Sequence, residues 1–500
     1  MNKYIWAIYI VLLLAVSCKP DVADFIDEKK EASIFPDYSG LVLPANIAPL
    51  NFVVKEKADK YFIRIKSSRG NTYDICQTSP KIDISERKWK KLLSESVNAN
   101  LYISIFAKKD GKWYKYNDIK DSVVDKKIDN YLVYRVVYAN YLFWRKMEVI
   151  QRDLESFNEY TVYDNASGDD GCVNCHSFPK NNPNKMMMHF RVIHPGMLLN
   201  LNGQIKKIDT RTQYTLSGAV YPAWHPDGKL IAFSTIKLSP HITTDIHKII
   251  DASDKASDLI VYNTETNIIT TSPKISTKSR ENMPAWSPDG KYLYFIVAPQ
   301  VENQDIKSLR KVKYSIARIE YNVNTNTWGN VDTVLSASQT GISMSFPLIS
   351  PDGRYLLFTG TDYGYFTAFH NQADLYCYDL QAKTLSKPAL NSSSCESYHT
   401  WSSNGRWIVF SSKRMDDVYT RPFIAFFDEK GNTSKPFVMP IKDPDEYSTL
   451  LANYNRPELV TGKIELSNRQ IRDAVFAEPV PAKFDTSVEV DALSGATAKK

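Results

Sequence analysis

From residue 197 onward, apolar and polar positions alternate in short runs, and four of these runs share one layout. Residues 221–233 (YPAWHPDGKLIAF), 283–295 (MPAWSPDGKYLYF), 346–358 (FPLISPDGRYLLF) and 398–410 (YHTWSSNGRWIVF) each set a tight turn between two apolar stretches. Pro-Asp-Gly presets the first turn torsion and then supplies a residue tolerant of positive φ, so each run predicts a hairpin. Alternation places Ile231, Leu293, Leu356 and Ile408 on the same side as Phe233, Phe295, Phe358 and Phe410, a face suited to packing between sheets. A second strand signal follows each hairpin, at 258–262, 316–321, 374–378 and 422–427, and together each unit makes one propeller blade. The turn glycines fall at 228, 290, 353 and 405, a longer period than the usual forty-odd residues of a blade, which predicts inserted loops. Residues 197–209 read as the outer half of a preceding blade and residues after Lys435 as the completion of the ring, for about six blades.

Ahead of this array, residues 46–165 show other alternating runs, at 61–66, 101–106 and 131–138, and predict a small β-sandwich. One short helix interrupts it, where Ser85 precedes a segment with Trp89, Leu92 and Leu93 on one face. The fold class expected is therefore mainly β. Its parts are a signal peptide over 1–18, a tether over 19–45, the sandwich over 46–165, a cysteine-bearing segment over 166–196, the propeller over 197–455 and a tail over 456–500. The 25 prolines, 30 tyrosines and 12% aromatic share agree with strands and turns. Net charge is +6 with acids and bases interspersed, which gives no nucleic-acid surface.

Candidate chemistry enters at residues 171–176, Gly-Cys-Val-Asn-Cys-His. CxxCH is the spacing of c-type haem attachment: Cys172 and Cys175 each add to one vinyl group, and the imidazole of His176 reaches the iron as proximal ligand. The alternatives are a zinc half-site and a redox dithiol; a zinc site wants a second ligand pair at matching spacing, and the chain holds none. For the sixth iron position the nearby residues are Met186, Met187, Met188, His189, His194 and Met197, of which His189 is the one expected. Haem attachment takes place outside the bacterial cytoplasm, and the N-terminus supplies that context. Lys3 precedes an apolar run from Tyr4 to Val16, too short to span a bilayer, which ends in Ala15-Val16-Ser17-Cys18. This resembles a bacterial lipobox, in which Cys18 takes the lipid, and the residues after it imply sorting to the outer membrane. Cys76, Cys377 and Cys395 remain, an odd number that argues against a disulfide framework, although Cys377 and Cys395 could pair or stay free and buried.

The C-terminus carries Val490-Asp491-Ala492-Leu493-Ser494-Gly495-Ala496-Thr497, which resembles the flavin-attachment motif D-x-x-S/T-G-A-T of FMN-binding domains. The resemblance implies that a transferase links FMN to the Thr497 hydroxyl, with Asp491, Ser494, Gly495 and Ala496 as its recognition residues, although no complete FMN-binding domain surrounds them. The repeats resemble the TolB-like propellers. The order of lipobox, sandwich, Cys172 to Phe178, His189 to Arg191 and propeller resembles a family of haem-bearing TolB-like lipoproteins of Bacteroidetes. The protein expected on these grounds is an outer-membrane lipoprotein that relays electrons through haem c and FMN, served by cytochrome c maturation machinery, an FMN transferase and redox partner proteins. A rival is a haem oxidoreductase acting on a small molecule at the propeller funnel, so enzymatic activity stays open. A third is a non-catalytic binding scaffold.

Overall fold

The computed structural model describes residues 22–138, 145–242, 250–301, 305–368, 370–493 and 495. Cys18, Ser494, Ala496 and Thr497 lie outside the described residues. The chain forms two compact units, Met1–Asp125 with Pro440–Ser448, and Lys126–Met439 with Thr449–Lys500. Among the described residues no helix is long and apolar enough to cross a membrane.

The first unit is built on a seven-stranded sheet and a three-stranded sheet. The strand Lys60–Ser67 pairs with Ala99–Lys109 along its whole length, so Phe62, Ile63, Ile65, Ile103 and Ile105 are buried. The helix Glu86–Glu95 follows Ser85 and buries Trp89, Leu92 and Leu93, the face read from the sequence; the Trp89 indole donates to the Ile47 carbonyl at 3.0 Å. Residues 25–31, expected in a tether, instead form the edge strand Phe25–Glu31, parallel to Lys112–Asn117. The returning segment 440–448 is held by Lys81, whose ammonium lies 2.7 Å from Asp443 and 3.0 Å from Asp445.

The second unit is six successive antiparallel sheets. Their first strands are Cys172–Ser177, Val220–Trp224, Arg280–Trp286, Ser343–Ile349, Glu396–Trp401 and Ala452–Val460. These pack against one another in ring order, the last against the first, and residues from all six line one central cavity. This is the arrangement of a β-propeller. Ile231, Leu293, Leu356 and Ile408 and the phenylalanines 233, 295, 358 and 410 are each at most 1% exposed, so the face inferred from alternation is the inter-blade core. Three of the four turns also seat on the preceding blade, Gly228 on Lys185, Gly290 on His225 and Gly405 on Pro351. Gly290 has φ +74°, and a Cβ there would come within 2.3 Å of the His225 Nε2, which lies 3.1 Å from the Gly290 carbonyl.

Two boundaries differ from the sequence expectation. The sixth blade's first strand, Ala452–Val460, runs across the expected end at 455, and its outer strands Tyr131–Tyr138, Met147–Asp153 and Glu159–Asp164 come from the stretch expected in the sandwich. The sandwich boundary at 165 therefore moves to 125. The described residues after 456 are not a loose tail either. Val480–Pro481 and Lys483–Phe484 add fifth strands, in parallel, to the outer edges of the first and second blades.

Candidate functional site

The cysteine motif is the first strand of the first blade and not a junction between two bodies. Cys172–Ser177 pairs antiparallel with Lys185–Arg191 across a connection broken by Pro179 and Pro183. The register sets Cys172 opposite Arg191, Cys175 opposite His189 and His176 opposite Met188, with the ladder shifted between Val173 and Cys175. In a strand, successive side chains face opposite sides. Cys175, His189 and Met197 thus share one face, toward the second blade, where Met187 and Met197 pack with Trp224, Ile231 and Phe233. His176, Met188 and Leu198 share the other, toward the sixth blade, and Cys172 joins that core with Val133, Tyr163 and Phe190.

Burial governs the electrostatics. His176 is 1% exposed, and burial, together with the positive charges of Arg456 and Arg135, pushes its pKa down to about 3. His189 is pushed to about 3 by burial and by Arg191. Both imidazoles are neutral at physiological pH, and the Nε2 of His176 and the Nδ1 of His189 are buried without a hydrogen-bond partner. The thiols of Cys172 and Cys175 are free and buried. Cys377 and Cys395 are free too, with burial pushing each thiol up to about 12. His194 stands apart, its Nε2 2.8 Å from Asp169.

The bulge inside the motif is held by Arg135, an arginine that the sequence reading passed over. From Tyr131–Tyr138 its Nη1 donates to the Val173 carbonyl at 3.1 Å, to the Asn174 side-chain oxygen at 3.0 Å and to the Asn174 carbonyl, while Nε donates to Asn455 at 3.0 Å. Beyond the motif, the Phe178 amide donates to Glu458 at 3.0 Å and the Ser177 carbonyl accepts from Trp224 at 3.2 Å. Burial, against the pull of Arg456, pushes Glu458 up to about 7.

Around the central cavity, Tyr221, Met283, Phe346, Tyr398 and Arg456 occupy one equivalent position in five blades. All five are non-glycine residues in the left-handed region, with φ of 53°, 47°, 50°, 48° and 53°. Four precede a proline, which ordinarily favours extended backbone, so the conformation is costly at each. The sequence signal was the x-Pro-x at the head of three of the four repeats, which also marks Arg456-Pro457-Glu458 as a further copy without the Pro-Asp-Gly turn.

Of the flavin-motif residues described, Asp491 is exposed in the short turn Val490–Ala492. Gly495 is buried on the second blade, where its amide donates to the Ser276 carbonyl at 3.1 Å; a Cβ there would lie 2.3 Å from Asp258 Oδ1.

A haem would need both thiols and the His176 imidazole to reach one porphyrin. The donors suit it: free thiols, and a neutral imidazole with an orphaned nitrogen. The closed blade does not present them together, since Cys175 and His176 face opposite sides, and the cavities beside the strand are lined by Ser177 and by His189. Among the described residues no group of three or more His, Cys, Asp or Glu gathers to hold a metal, so no second ligand pair supports a zinc site at Cys172 and Cys175.

No family model matches the chain. A 96-residue stretch is 32% identical to an arsenical resistance operon repressor, ArsR, of Halobacterium salinarum, covering 19% of this chain and 70% of that protein. That similarity concerns one segment of a chain whose described part is built chiefly of strands, with no described helix beyond ten residues, and it does not assign the whole. Among solved structures, the chain is similar to the β-propeller domain of Cps50 (Swd1) from Myceliophteria thermophila, at 8% identity over 52% of this chain and 66% of that one, TM-score 0.31. It is similar to a puromycin-hydrolyzing peptidase of Mycobacterium tuberculosis at 11% identity over 69% and 52%, TM-score 0.35. A third is prolyl oligopeptidase B from Galerina marginata, at 11% over 69% and 50%, TM-score 0.31. This chain thus spans less than two thirds of each of those chains, and at these scores the fold assignment rests on the strand topology alone.

Proposed function

We propose that this chain is an extracytoplasmic redox lipoprotein of the TolB-like propeller type, anchored to the outer membrane through Cys18, with haem c linked to Cys172 and Cys175. The observation that carries the reading is the buried, unpartnered Nε2 of His176 beside two free buried thiols on one first strand. A buried polar nitrogen without a partner costs free energy, and a ligand role accounts for it. Haem iron would supply one-electron transfer; His176 is the residue that would hold it, and His189, the residue expected for the sixth position, faces the other side of the closed blade. The chain's own part is to keep both imidazoles neutral and dry and, through Arg135, to fix the backbone between the thiols. FMN on Thr497 would place a second redox group at the end of a tail that Gly495 holds on the second blade. Redox partner proteins would dock on the propeller, and the maturation machinery and FMN transferase would act while their segments are accessible.

Because Cys175 and His176 face opposite sides in the closed blade, attachment requires the strand to leave its partner Lys185–Arg191 or to be modified before pairing with it. The test is the intact mass of denatured protein from an exporting host. Haem mass is expected on the wild type and on no molecule of a Cys172→Ala/Cys175→Ala form; a wild-type chain without it, from a host that matures other c-type cytochromes, overturns the reading. FMN mass lost in Thr497→Ala is the matching expectation for the flavin.

A further inference from the structure

We infer that the central cavity of the propeller is a binding site for a small organic carboxylate, seated on the Arg456 guanidinium between the Tyr221 and Tyr398 rings. This does not rest on the haem reading. The cavity measures 120 Å³, and its lining includes Tyr221, Met283, Phe346, Tyr398, Arg456, the prolines that follow four of them, and Glu458. That is below the range of drug-sized pockets, so the occupant is small. Five blades bend a non-glycine residue into the left-handed region at the position that lines it, a repeated backbone cost that brings these side chains together around the cavity.

Arg456 decides the ligand's charge. Its guanidinium lies 5.7 Å from the centre of the Tyr398 ring; Glu458 lines the same cavity and attracts it from beyond ion-pair distance, and among the described residues no side-chain or backbone oxygen accepts a hydrogen bond from it. A half-buried cation with idle donors is costly, and an anion from outside offsets that cost. Chemistry narrows the anion further. Pro222, Pro284, Pro347 and Pro457 carry no amide hydrogen, so at four positions the wall offers no backbone donor of the kind a phosphate dianion gathers. One planar guanidinium matches one planar carboxylate, and Met283, Phe346 and the tyrosine rings accommodate an apolar or aromatic body.

Calorimetric titration of the full chain with benzoate, and with benzamide as its neutral counterpart, tests this. It is run in parallel on the Cys172→Ser/Cys175→Ser form, which cannot carry covalent haem, so that failure of the haem reading leaves the result interpretable. Benzoate is expected to bind that form at least about tenfold more tightly than benzamide, and Arg456→Gln to weaken benzoate by about 10- to 100-fold, the range for a lost charge-assisted pair. Met283→Trp, which fills the cavity from another blade and leaves Arg456 in place, is expected to abolish binding; it serves as the test if Arg456→Gln fails to fold. Equal affinities for benzoate and benzamide, or benzoate binding that survives both substitutions, overturns the site.

Discussion

Replacing Arg135 with methionine removes the side chain that donates to both Val173 and Asn174 at the bulge of the cysteine motif. Three of its hydrogen bonds go to Val173 and Asn174 and a fourth to Asn455, and the residue is 8% exposed, so water does not readily take its place. Each hydrogen bond from a charged donor is worth about 1.5–3 kcal/mol, and stranded buried carbonyls add to the loss. Against this, the partners are carbonyl oxygens and not carboxylates, so the wild type carries an unneutralised buried cation whose removal returns part of the sum. Methionine keeps most of the volume, so little of the effect comes from a cavity. The net expectation is a loss of about 2–4 kcal/mol, a large share of the roughly 5–15 kcal/mol of a typical fold. Arg135→Lys, with a point charge and no fork, is expected to lose about half as much. Native-state hydrogen exchange at residues 172–177 gives the opening free energy where it matters, and urea unfolding gives the global figure. A loss below about 1 kcal/mol at those amides would mean that the strand is held by its pairing alone, and the assignment of Arg135 would fail.

Glu281, buried with burial pushing its pKa up to about 7, gives a pH expectation. A carboxyl whose folded pKa exceeds its unfolded value binds more protons folded, so it favours the fold below the unfolded value near 4.5, and stability falls as pH rises to about 7 and then levels. Glu281→Gln is expected to flatten that slope and to gain on the order of 1–3 kcal/mol at pH 8, read by denaturant midpoints across pH; an unchanged slope would contradict it. Gly495→Val sets side-chain atoms where Asp258 and Ser276 stand and should release the end of the chain from the second blade, visible as faster proteolysis C-terminal to Phe484; unchanged cleavage would show that the segment is not held there.

The blades were legible because their signals are local. A Pro-Asp-Gly turn and two residues of alternation suffice to orient Leu293 and Phe295, whatever the rest of the chain does. The sixth blade was not, because it joins strands some three hundred residues apart: Val136 pairs with Tyr454 with no turn between them to mark the register. The strap Val480–Pro481 and Lys483–Phe484 escaped notice for a related reason. Its two-residue strands are held by backbone ladders to outer blade edges, which leave no side-chain pattern in the sequence. In the site, the thiols and His176 announced themselves by spacing, whereas Arg135 is a single arginine in an alternating strand, and only the fold shows what it reaches. Arg456 had a signal in its x-Pro-x copy, but that signal was masked by the missing turn.

The split sixth blade also orders events in time. Its outer strands emerge before the cysteine motif, yet the strand that closes the ring, Ala452–Val460, emerges roughly 280 residues after Cys175, on the order of tens of seconds later at a chain elongation of ~5–20 residues per second. Until then the strand Cys172–Ser177 lacks one of its flanking first strands, and the first blade stands without the neighbour that closes the ring. Closure of the ring is thus a clock: it defines how long the chain can be modified and, once past, seals whatever has or has not been attached.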